Sequence, residues 1–183
     1  MSRNNEVAAV LEEFADLLEA RDVSYKPNTY RRAASNIRDH PEAVEDLAAD
    51  GSDAVQEIEG VGDAIASKVV EYVETGSIEE LEAEREQLPV EMAELTSVEG
   101  VGPKTVKRLY DALGVQTLDD LEAAAEAGEI QEVSGFGPKT EQNILDHVAF
   151  ARRAQERELL GDGRPIAEDV RAFLAGVDGV ERV

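Results

Sequence analysis

Residues 133–140 read VSGFGPKT: two glycines bracket one apolar residue, and a lysine follows two places beyond. Residues 98–105 read VEGVGPKT and residues 57–64 read EIEGVGDA, so the same spelling occurs three times. Each copy has an apolar flank (Ile58, Val98, Val133) and leads into a run with apolar residues at helical spacing. A helix, a tight bend and a second helix need glycine where φ is positive or where backbones approach closely. The apolar residue between the glycines is expected to tuck back into the helix pair. A row of backbone N–H groups then stays exposed at the start of the second helix, where the helix carries partial positive charge. Such an end takes anions, and a nucleic-acid phosphate suits it. Backbone donors carry no sequence information, so binding would ignore base sequence. The plainer alternative is a tight turn between packed helices. Three copies, two of them continuing Pro-Lys-Thr, favour the anion.

The lysines point the same way. Lys104 and Lys139 fall in the first turn of their helices, where a cation is unfavourable for the helix dipole. The first copy has Asp63 there, the choice a purely structural helix start would make. A lysine makes sense at that end if an anion docks on it, and Lys107 and Arg108 lie one turn further on.

The bulk composition bounds the rest. With 42% apolar residues and only 4% aromatic ones, the 183-residue chain must build its cores from Leu, Val, Ile and Ala. Cysteine is absent, which excludes disulfides and thiol chemistry. No run of about 18 apolar residues occurs, so no membrane span is expected. Without a signal pattern at the N-terminus, the expected location is cytoplasmic. The net charge of −23, from 41 acids and 18 bases, taken alone argues against a nucleic-acid partner. One explanation is a disordered acidic chain. The other is a folded, halophilic protein whose carboxylates keep it soluble in molar salt, where screening is short-ranged. Regular apolar periodicity and a set of five Lys against thirteen Arg favour the second, and an archaeal source. Residues 51–100 hold fourteen acids and two bases, whereas 151–183 hold seven and six. In so acidic a chain, the positions that keep a base are informative.

The periodicity predicts an all-α fold, a helical bundle with three helix-hairpin-helix motifs in two small tandem domains. Val7, Val10, Leu11, Phe14, Leu17 and Leu18 predict a helix over 5–21. A second is predicted over 28–39, capped by Asn28, and Pro41 is expected to open a short third. A short helix at 53–57 precedes the first glycine pair, and a helix through Ile65, Val69 and Tyr72 follows it, ended by Gly76. Ser77–Glu80 reads as a capping box, and Thr117–Asp120 as the cap of a helix. The second half is predicted to repeat the plan, with helices over 90–96, from Pro103 to Leu113, from Thr117 to Ala127, over 129–133, and from Pro138 toward 159. Gly161-Asp-Gly163 breaks that last one and a helix over 165–175 follows. Leu88-Pro89 marks the expected boundary, giving domains at 1–88 and 89–150, with 151–183 an Arg-rich helix leading into a further domain.

These residues resemble the N-terminal region of family X DNA polymerases. Tyr30-Arg-Arg-Ala-Ala-Ser35 is similar to a helix of that family's small lyase-type domain, and Ile58-Glu-Gly-Val-Gly62 with Lys68 to its hairpin. Residues 96–113 resemble its fingers-domain hairpin, and Gly135–Thr140 the third hairpin of bacterial and archaeal members. Arg164-Pro165 resembles the approach to the palm. The resemblance implies sequence-independent binding of gapped or nicked DNA in base excision repair. The implied contacts are Gly60, Val61, Gly62, Gly100, Val101, Gly102, Lys104, Thr105, Lys107, Gly135, Phe136, Gly137, Lys139 and Thr140. Lys26, Tyr30 and Arg31 would grip a 5′-phosphate. Nucleotidyl transfer and its magnesium ions would belong to a palm domain that these residues do not include, so this chain alone is not expected to polymerise DNA.

The resemblance also puts Lys68 at the position of a Schiff-base lysine in a 5′-deoxyribose-phosphate lyase, chemistry that needs a neutral amine. Here Ala64 and Glu80 stand where the family has further lysines, and Glu71 and Glu74 lie nearby. The alternative is an exposed lysine paired with Glu71 or a carboxylate beside Asp63. A monovalent cation, sodium or potassium, is implied at the backbone carbonyls of Gln56, Ile58 and Val61, and of Thr96, Val98 and Val101. His40 and His147 read as solvated or capping residues. Two other functions stay open on the residues alone: a protein-docking module for a basic partner, and a stand-alone non-catalytic DNA-binding protein.

Overall fold

The computed structural model describes residues 3–148 and 150–151. The predicted end of the last long helix, the break at Gly161–Gly163, the helix at 165–175 and the tail at Val180–Val183 lie outside the described residues. Every regular element described is helical. The first half comprises α1 (Arg3–Ala20), α2 (Lys26–Arg38), α3 (Val44–Ala49), α4 (Ser52–Val55), α5 (Asp63–Thr75) and α6 (Glu79–Gln87). The second comprises α7 (Met92–Thr96), α8 (Pro103–Leu113), α9 (Leu118–Glu126), a single 3-10 turn (Ile130–Glu132), and α10 (138–148).

Helix α1 is the centre of the packing. Its apolar stripe of Val7, Leu11, Phe14, Leu17 and Leu18 is buried, and it touches α2, α3, α5, α6, α7 and α8. Phe14 meets the Tyr30 ring of α2 with centroids 4.9 Å apart. The buried side chains form one continuous cluster that runs from Val7 to Ala151. Leu88, at the expected boundary, and Met92 just beyond it are both buried in that cluster.

Several helix ends differ from the sequence expectation. Asn28 does not cap α2; the helix starts at Lys26, with Tyr25 at φ 66° before it and Pro27 in its first turn. Proline tolerates that turn because its missing N–H has no partner there anyway. Pro41 opens no helix, and α3 begins at Val44, whose N–H donates to Oδ1 of buried Asn4 at 2.8 Å. The Ser77 capping box does not form. Buried Ile78 is the N-cap, and the Glu79 N–H donates instead to Oε1 of Glu71 at 2.7 Å. Thr117 caps α9 as expected, and does so in a full capping box, with the Asp120 N–H donating to the Thr117 hydroxyl and the Asp120 carboxylate accepting the Thr117 N–H. The stretch 129–133 makes only its 3-10 turn.

Candidate nucleic-acid interface

The three glycine-paired bends share one backbone path. Gly60, Gly100 and Gly135 sit at φ 80°, 87° and 84°, where a side chain would be strained. In each bend the middle residue donates its N–H back to the apolar flank: Val61 to Ile58 O at 3.1 Å, Val101 to Val98 O at 3.0 Å and Phe136 to Val133 O at 3.0 Å. Gly62 and Gly102 are extended, and in all three bends the second glycine's carbonyl accepts from the first turn of the next helix: Ala66 N–H to Gly62 O, Val106 N–H to Gly102 O and Glu141 N–H to Gly137 O. Ahead of that turn, the amides of Gly62, Asp63 and Ala64, of Gly102, Lys104 and Thr105, and of Gly137 and Lys139 have no acceptor among the described residues. Gly62, Gly102, Lys104 and Lys139 are exposed. Val61 and Val101 are buried, whereas Phe136 is only partly so.

The fate of each base shows what the acidic surface has left available. Arg31 forks onto Asp16 and Glu19 at 2.6 and 2.5 Å, Arg38 onto Glu12, and Arg85 onto Glu13. Arg3 meets Glu6, and Arg21 meets Glu84. Lys107 pairs with Asp111 one turn on, and Lys104 reaches across to Asp22 in the α1–α2 turn at 2.5 Å. Lys26, Arg32, Arg108 and Lys139 have no carboxylate partner among the described residues. Lys139 stands at the third bend and Lys26 at the start of α2. Arg32 lies against the first bend, where a Cβ at Gly60 would come within 2.9 Å of its Nε. Arg108 lies against the third, 2.5 Å from where a Gly135 Cβ would be. The sequence placed Arg108 one turn beyond the second bend, not at the third, and gave Arg32 no role. Each comes from a helix outside the bend it serves, so only the three-dimensional packing reveals it.

Of the expected 5′-phosphate group, Lys26 is exposed, Arg31 is occupied by its two carboxylates, and Tyr30 is buried against Phe14. Lys68 is not on an exposed face, with its side chain only 15% accessible. Its Nζ meets Glu80 Oε2 at 2.7 Å, not Glu71 or Asp63, and lies 5.9 Å from the Phe14 ring centroid. Burial on its own would lower the Lys68 pKa. The Glu80 hydrogen bond, with Tyr30 and Glu71, outweighs burial and carries it above the ordinary lysine value. The carbonyls of Ile58 and Val98 each accept one amide and keep a second lone pair. His147 is neither free nor a cap, with Nε2 3.1 Å from Glu99 and Nδ1 at Asn143 O. Among the described residues no group of His, Asp or Glu is arranged to hold a metal, and no helix is long and apolar enough to cross a membrane.

Known proteins match this chain in both halves. Residues 2–78 match the helix-hairpin-helix domain family, and residues 92–149 match the SAM-like helix-hairpin-helix tandem. Over 171 residues, 93% of its length, the chain is 27% identical to the DNA polymerase/3′-5′ exonuclease PolX of Bacillus subtilis (strain 168). It spans 29% of that protein's length.

Proposed function

We propose that this chain, which belongs with the N-terminal helix-hairpin-helix regions of the family X DNA polymerases, seats the sugar–phosphate backbone of DNA without regard to base sequence. The observation that carries the reading is the distribution of bases. In a chain of net charge −23, all four described cations free of a carboxylate lie at a glycine bend or at the start of α2. Free amides at those bends donate to phosphate oxygens, and the cations supply the charge that releases counterions. Lys104 and Lys107 join once phosphate displaces Asp22 and Asp111, exposed carboxylates whose hold is weak in salt.

The preferred target is a gapped or nicked duplex, with Lys26 toward a 5′-phosphate and the bends of the second half on duplex backbone. Sodium or potassium at the carbonyls of Gln56, Ile58 and Val61, and of Thr96, Val98 and Val101, fits this reading, because neutral oxygens alone suit a weakly charged ion. Lys68 enters as a cation rather than a nucleophile, since imine formation needs the neutral amine that Glu80 opposes. The acidic remainder of the surface fits work in concentrated salt.

Fluorescence anisotropy with duplexes of one sequence, intact, nicked or carrying a one-nucleotide 5′-phosphorylated gap, tests the target. The gapped duplex should bind most tightly and Lys26→Gln should reduce that preference. Equal affinity for all three would leave general backbone binding and remove the gap from the reading.

A further inference from the structure

The third bend differs from the other two at its centre. Where Val61 and Val101 are buried in the core, the third copy has Phe136, whose ring stays partly exposed. The Arg108 guanidinium of α8 lies over that ring, 4.4 Å from its centroid, and against the backbone of Gly135. Arg108 follows Lys104 by four residues, so both rise from one face of the helix that the second bend starts. It makes no ion pair among the described residues, although α8 and its surroundings offer carboxylates that hold Lys104 and Lys107.

We propose that Arg108 is a shared phosphate ligand that joins the second and third bends into one backbone track, and that Phe136 is the platform that holds it in place. A planar guanidinium stacked on a ring keeps its edge donors free, and that edge matches two oxygens of one phosphate. With Lys104 one turn before it on α8 and Lys139 at the start of the helix after the third bend, it would contact a phosphate that neither bend reaches alone. A valine at position 136 would bury itself and leave the guanidinium without support, which accounts for the larger residue. This proposal rests on the reading of backbone binding above.

The test is the salt dependence of duplex binding by the full 183-residue chain. Arg108→Gln should weaken affinity roughly five- to tenfold at low salt and reduce the log–log salt slope by about one. Phe136→Leu should weaken it about two- to threefold in the wild type and add nothing in the Arg108→Gln background. Arg21→Gln, which removes an exposed arginine already held by Glu84, should leave the slope unchanged. If Arg108→Gln lowers the melting temperature but not the slope, Arg108 only packs the third bend and the proposal fails, while backbone binding stands. If the wild-type chain binds no duplex, both fail.

Discussion

The first and second bends have the same backbone and opposite charge. Gly62 and Gly102 differ by 4° in φ and 1° in ψ, their apolar centres Val61 and Val101 are both buried, and both middle amides return to the flank carbonyl at matching length. Yet the first helix begins Asp63-Ala64 and the second Pro103-Lys104. The contrast separates two tasks. Glycine and valine build the bend and leave amides free in both; the residue after it sets the charge beside them. Asp63 suits the positive end of α5 by itself, whereas Lys104 opposes the end of α8 and pairs with Asp22.

The flanks of the bends test the building task. Val98→Ala removes a fully buried side chain and should cost about 2 kcal/mol of stability, read by urea denaturation. Val133→Ala, only partly buried, should cost about 1 kcal/mol. Equal losses would mean that the third bend is as firmly built as the second. The two capping signatures divide in the same way between the halves. Thr117→Ala should cost about 1 kcal/mol, whereas Ser77→Ala, whose box never forms, should stay within about 0.5 kcal/mol.

Asp63→Lys would give the first bend the charge of the second. It should tighten duplex binding about threefold while lowering the melting temperature slightly, because a cation at that end opposes the dipole. Smaller still is the alkaline response of the first half. Lys68 and Tyr30 both have pKa values raised above their ordinary ones, so their contribution is fully present below those values and is lost as the pH rises past them. Stability should therefore decline above about pH 10, and Glu80→Gln should flatten that decline. An unchanged alkaline profile in Glu80→Gln would remove the ion pair from the account.

The helices and the bends were legible from period and glycine spacing alone, because both depend on residues a few places apart. The second half of the site was not. Lys68 finds Glu80 across the α5–α6 turn, where local spacing pointed to Glu71 or Asp63. Ser77 lost its cap to a carboxylate on the preceding helix, Glu71, once Ile78 turned inward. Arg31 reads as a phosphate contact in the sequence but spends its fork on Asp16 and Glu19, while its neighbour Arg32 reaches the first bend. Consecutive residues on a helix point about 100° apart, so which of two arginines faces the bend depends on how α2 is rotated against α1. The spelling Tyr-Arg-Arg does not contain that rotation.

On the proposed reading, free amides and spared cations at glycine bends hold phosphate despite a strongly acidic surface. The most direct measurement is binding of the chain to two gapped duplexes of unrelated sequence, titrated with potassium chloride, for the wild type and for Lys104→Glu with Lys139→Glu. Equal affinities for the two sequences are expected, with a steep negative salt slope. The charge reversals should lower affinity roughly ten- to hundredfold at low salt and make the slope shallower by about two. Binding that depends on the sequence, or that survives both reversals with its slope intact, would contradict it.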